Sequence, residues 1–149
     1  MFKSILVPLD GSPLAEAILP EVAGLTRALG AELILLRVAL AQIFPGIDPI
    51  HLADEEVRVV QEAEAYLAAV AERLAQESLT VKTAVRYGLP AEEIVDHVAF
   101  VGADLVAMST HGRSGLSRLV MGSVAEEVVR KAKVPVLLLR AQEHQQKLG

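Results

Sequence analysis

The amino-acid sequence predicts an α/β fold: a five-stranded parallel sheet, doubly wound, with helices on both faces. Two observations carry that expectation. Strand-length apolar runs alternate with helix-period stripes, five of the first and four of the second, and no internal repeat or domain boundary breaks the alternation. The runs at 4–9 and 105–108 are almost continuously apolar, as strands covered on both faces must be.

Residues 4–9, SILVPL, read as a central strand. Asp10-Gly11-Ser12-Pro13 then reads as a turn and helix start, with Ser12 as cap and Pro13 at the first helical position, where its missing N–H is no loss. Leu14, Ile18, Val22, Leu25 and Leu29 form one helical stripe ended by Gly30, and Pro20 inside it predicts a kink. Residues 32–39 are the second strand. A loop is expected over 40–51, where Phe44-Pro45-Gly46 and Asp48-Pro49 oppose regular structure; so long a loop can be a binding edge or a plain surface excursion. Over 54–77, Val57, Val60, Leu67, Val70 and Leu74 are spaced for a long amphipathic helix. The alternating TVKTAVR at 80–86 predicts an edge strand. Gly88-Leu89-Pro90 starts the next helix, with Ile94, Val95 and Val98 inward, and Gly102-Ala103-Asp104 leads into the strand at 105–108. Val124, Val128 and Val129 mark the last helix, and 134–140 the last strand. The whole of 1–149 reads as one domain, with a polar tail at 141–149 expected to fray.

Composition narrows the function classes. Hydrophobic residues at 52% and charged residues at 22% describe a packed core, not a disordered chain. A net charge of -5 opposes a general nucleic-acid or membrane-surface binder. Without cysteine there is no disulfide or thiol chemistry. Met1-Phe2-Lys3 passes straight into a strand, and the apolar run at 31–40 is interrupted by Glu32 and Arg37 and falls short of the roughly 20 residues a bilayer needs. A cytoplasmic chain that does not enter a membrane is therefore expected.

The chemistry concentrates at 105–124. A buried strand gives way to Ser109, Thr110, His111 and Gly112, and the glycines Gly112, Gly115 and Gly122 allow close approach of backbone to a ligand. Gly122-Ser123 opens a helix, so amides near Gly112, Gly122, Ser123 and Val124 would stand at the positive end of a helix dipole, an anion cradle. Ser123 has two readings: a hydroxyl donor to a phosphate, or, with Glu126, a capping box that needs no ligand. Asp10 can accept from an adenine amino group or a ribose hydroxyl, help hold a metal, or simply make an Asp-Gly turn. Arg113 and Arg118 can screen phosphate charge or be solvated. His51, His97 and His144 lack zinc-site spacing. A P-loop, a dinucleotide glycine series and a G-x-S-x-G elbow are all missing.

Gly112, the nine residues after it and Gly122-Ser123 resemble the ATP-binding signature of the universal stress protein family, with Ser109 in place of its first glycine. ILVPLDGS at 5–12, GLPAEEIVDHV at 88–98, GADLVAMSTHG at 102–112 and PVLLLR at 135–140 look like family elements in family order, so the resemblance covers nearly the whole chain. It implies a Rossmann-like strand order 3-2-1-4-5, with the order reversing between strands 1 and 4. By position, it implies that Pro8, Leu9, Asp10 and Val38 serve the base and ribose, and that Ser109, His111, Gly112, Gly122, Ser123 and Val124 serve ribose and phosphates. Met108, Arg113 and Gly115 complete the candidate set. The implied ligand is ATP, ADP or AMP, with any magnesium accompanying it, and the implied assembly is a homodimer through the last strand. A nucleotide-dependent regulatory module is the leading expectation. The alternatives are a slow ATPase or phosphotransferase drawing on Asp10, Ser109, His111 or Ser123, and a dimeric stress protein that binds no nucleotide, as Ser109 would suggest.

Overall fold

The computed structural model describes residues 1–40, 45–46, 48–111 and 121–141. Strands β1 (Ser4–Pro8), β2 (Glu32–Ala39), β3 (Val81–Tyr87), β4 (Leu105–Ser109) and β5 (Val136–Leu139) form one parallel sheet in the order β3-β2-β1-β4-β5, as expected. Between them run helices α1 (Pro13–Glu16), α2 (Leu19–Leu29), α3 (Pro49–Ala75), α4 (Pro90–Val101) and α5 (Ser123–Lys131).

Alternation along the strands divides the core in two. Ile5, Val7, Leu33, Leu35 and Leu105 pack with Ile18 and Val22 and with Leu67 and Val70 of α3. From the opposite face Leu6, Ile34, Leu36, Val106 and Met108 meet Ile94 and Val98 of α4 and Ala125 and Val128 of α5. Buried on both faces, β1 tolerates no polar side chain beyond Ser4, which explains its unbroken apolar run.

Several local expectations are corrected. Pro20 does more than kink the first helix: it falls in the first turn of a new one, α2, because a proline ring cannot share a turn with the carbonyl four residues before it. Asp48-Pro49 starts a helix where the sequence suggested only a break. The Asp48 carboxylate accepts from the amides of Ile50 and His51 at 3.0 Å, with Pro49 in the first turn, so α3 begins well before residue 54. At 27 residues α3 is about 40 Å long and outreaches the sheet. Its buried stripe is Ala63, Leu67, Val70 and Leu74, whereas Val57 is exposed. On α4, Val95 is half-buried and His97 takes the inward position beside Ile94 and Val98. β4 runs on to Ser109, and β3 and β5 are shifted or shortened by one or two residues from the expected 80–86 and 134–140. Most of the expected tail, 142–149, lies outside the described residues. Among the described residues no helix is long and apolar enough to cross a membrane.

At the amino ends of the strands, Asp104 fastens β1 to β4. Its carboxylate accepts from the amides of Lys3 and Ser4 at 2.9–3.1 Å, and these bonds, Lys3 foremost, hold its pKa below the usual aspartate value. A carboxyl with a lowered folded pKa stabilises the native state above its unfolded pKa of about 3.9 and loses that contribution as pH falls through the folded value. Asp104→Ala should therefore cost about 1.5 kcal/mol at neutral pH, the low end for hydrogen bonds to a charged group because the residue is only half-buried. Urea titrations at pH 7 and pH 3 would check it: the gap between parent and variant is expected to narrow in acid.

Candidate functional site

A cavity of about 670 Å³ opens at the carboxyl ends of β1 and β4, where the strand order reverses. β1 and its turn contribute Pro8, Leu9, Asp10 and Gly11; β2 contributes Leu36, Arg37 and Val38; β4 and the residues beyond it contribute Met108, Ser109 and His111. Val59, Glu62, Ala63 and Tyr66 of α3 and Pro90 and Ile94 of α4 close the sides, and Gly122, Ser123, Val124 and Ala125 bring in the start of α5.

The turn after β1 is built around Asp10. One carboxylate oxygen accepts from the Ser12 amide at 2.9 Å and from the Ser12 hydroxyl, whose oxygen in turn accepts from the Ala15 amide and caps α1. Asp10 is thus fixed as a turn residue and lines the cavity at once. Gly11 has φ +82°, a conformation only glycine adopts without strain, and a Cβ there would stand 2.5 Å from Nη1 of Arg37. The Arg37 guanidinium lies over the Tyr66 ring, 5.3 Å from its centroid. Burial, with Glu16 beside the hydroxyl, drives the Tyr66 pKa far up, so the phenol stays neutral.

On the other side the Gly122 amide donates to the Thr110 carbonyl at 2.7 Å, drawing the end of β4 and the start of α5 together. That bond occupies an amide the sequence had offered to an anion. The helix provides others: its first internal bond runs from the Glu126 amide to the Gly122 carbonyl, so the amides of Ser123, Val124 and Ala125 have no acceptor within the helix. Gly122 is the N-cap and no side chain caps it, so the expected capping box of Ser123 and Glu126 is not formed. Ser123 stands one position too late, as the first helical residue, and is exposed at the cavity. The Ser109 hydroxyl accepts from the His111 amide at 3.4 Å, and Thr110 Oγ1 lies 3.0 Å from His111 Nδ1.

Pro8, Leu9, Asp10, Val38, Met108, Ser109, His111, Gly122, Ser123 and Val124, separated by up to 116 positions in sequence, therefore share one cavity. Gly112, Arg113 and Gly115, with Arg118, lie outside the described residues. Sequence reasoning missed the contribution of α3 and the place of Arg37. Arg37 left a signal, a cation interrupting the apolar run of β2 near its carboxyl end; Tyr66 and Glu62 left none, because helical spacing alone does not say which strand ends a helix overhangs. Among the described residues no group of three or more His, Asp or Glu could hold a metal ion.

Comparison with known proteins agrees with this architecture. The sequence model of the universal stress protein family matches residues 1–140. The universal stress protein YxiE of Bacillus subtilis is 31% identical over 94% of this chain and 100% of its own length. The solved structure of MJ0577, a universal stress protein of Methanocaldococcus jannaschii, superposes with a TM-score of 0.85 at 30% identity, covering 95% of this chain and 98% of that one. A universal stress protein family protein from Arabidopsis thaliana, solved with AMP bound, shares the fold at a TM-score of 0.68 and 16% identity, covering 95% of this chain and 93% of that one.

Proposed function

The chain belongs to the universal stress protein family, and from that premise we propose that it is a single-domain cytoplasmic module that binds ATP, ADP or AMP in the crevice between β1 and β4 and alters its interactions with occupancy. The observation that carries the proposal is the cavity itself, which joins the apolar strand ends to a helix start whose first amides have no acceptor within the helix. Base and ribose are placed against Pro8, Leu9, Val38 and Met108, with the Asp10 carboxylate as acceptor. Ribose and phosphates are placed against Ser109, His111 and the amides of Ser123 and Val124; by sequence position Gly112, Arg113 and Gly115 belong with them. Gly122 admits the phosphates by lacking a side chain, while its own amide remains with Thr110. Any magnesium would arrive on the phosphates. AMP bound in the Arabidopsis protein of the same fold supports an adenine nucleotide.

Calorimetric titration with ATP, ADP and AMP, with magnesium present, tests this reading. Saturable binding of at least one, at one site per chain, is expected. No heat and no change in thermal unfolding at millimolar nucleotide, from protein free of copurified ligand, would overturn it.

The same reading includes a homodimer through β5. Its four residues are all half-buried and it ends the sheet, so among the described residues no further strand pairs with its outer edge, which lies beside apolar side chains. Val136→Lys combined with Leu138→Lys should shift the chain from dimer to monomer in light scattering, with circular dichroism confirming the fold. A folded variant that keeps the parent's dimer mass would rule out this edge.

A further inference from the structure

We propose that Arg37 is a positioning residue of the cavity: a wedge between Tyr66 of α3 and the turn at Gly11 that holds the Asp10 turn and the α3 wall at a set separation. The inference rests on the nucleotide reading above, for which Asp10 must face the ligand.

The geometry is that of a filled gap. The guanidinium carbon stands 5.3 Å from the Tyr66 ring centroid on one side, and Nη1 approaches Gly11 so closely that a Cβ there would lie 2.5 Å away. Nε and Nη1 are shielded from solvent, so the flat group is enclosed between helix and turn. Glu16, which accepts from Arg73 at 2.8 Å, lies beside the Tyr66 hydroxyl. Arg37 and Tyr66 both line the cavity, and among its described lining residues Arg37 is the only lysine or arginine. A shorter side chain at this position would let α3 settle toward the sheet and release the turn that orients Asp10. Lysine would keep the charge but lose the planar face that stacks on the ring.

A double-mutant cycle with ADP as the probe tests the wedge. Arg37→Ala should weaken ADP binding roughly tenfold, and Gly11→Ala, which drives a methyl group into the guanidinium, should weaken it as well. In the doubly substituted chain the collision partner is gone and only the strain of a methyl group at the left-handed backbone of Gly11 remains, so the combined loss should be smaller than the product of the two single losses. Arg37→Lys should recover less than half of the loss, on a logarithmic scale. All titrations are made where circular dichroism shows each chain fully folded, so a merely structural role would leave the affinities unmoved. Parent-like affinity in Arg37→Ala, losses that multiply in the double variant, or full recovery in Arg37→Lys would each overturn the wedge while leaving the nucleotide reading intact. Absence of ADP, ATP and AMP binding by the parent would overturn that reading and the wedge with it.

Discussion

Gly122→Val is expected to fold and to lose the thermal stabilisation that ATP is expected to confer on the parent chain. The backbone at Gly122 has φ -61° and ψ 153°, open to any residue, and its amide bond to Thr110 does not depend on its side chain. The backbone angles there therefore do not require glycine. What a valine changes is the space beside the first amides of α5, since Gly122 lines the cavity. ATP at about 100 times its dissociation constant stabilises a native state by ~2.7 kcal/mol, a rise in Tm of roughly 5–10 °C for a domain of this size. Thermal unfolding of both chains with and without ATP and magnesium would check it. The parent should show the shift and the variant should show almost none; equal shifts would move the phosphates away from the start of α5.

Acid should destabilise the chain through His97. Its side chain is buried on the inner face of α4, with the ring stacked against Phe100 at 5.9 Å. Arg86 of β3 places Nη1 3.5 Å from Nδ1, which makes Nδ1 the acceptor, and Nε2 is buried without a hydrogen-bond partner. Burial first, then the Arg86 charge, depress the His97 pKa, and the Glu93 carboxylate, which binds Arg86 at 2.6 Å, opposes them. A histidine with a depressed folded pKa leaves stability intact above its unfolded value of about 6.5 and erodes it as pH falls toward the folded value. Over that window one such group removes about 1.4 kcal/mol per pH unit, or roughly 3–6 °C in Tm. Pro90 and Ile94 of the same helix line the cavity, and Arg86 is the register partner of Val38. Tm of the parent and of His97→Leu between pH 8 and pH 5 would isolate it from the other histidines. The parent should lose more over that range; parallel curves would show that His97 accepts its proton without penalty.

The architecture was readable because burial on both faces leaves strands no freedom in their pattern: Ile5, Leu6 and Val7 must all be apolar whichever helix covers them. The same logic made β3 an edge. Proline misled because one residue both stops and starts helices. Pro49 was taken for a breaker although Asp48 ahead of it is an ordinary cap, and the two readings differ only in the backbone geometry of the preceding residue. Val57 matched the helical period yet points away from the core, since a period says nothing about where along its length a helix runs past the sheet. For the site, the positions on β1, β4 and α5 follow strand ends and were legible. Tyr66 was not, because it comes to the cavity through the tertiary placement of α3. Ser123 and Glu126 satisfied the capping pattern, but the chain enters the helix one residue earlier, at Gly122.

The Asp104 fastening has a bearing on how such a domain can diversify. It secures the amino ends of β1 and β4, while the cavity sits beyond their carboxyl ends, a strand length away. Changes at the cavity residues Asp10, Ser109 or Ser123 fall outside the contacts that Asp104 makes at the other end of the two central strands. A lineage could exchange, enlarge or abandon a ligand at that end while keeping the same scaffold.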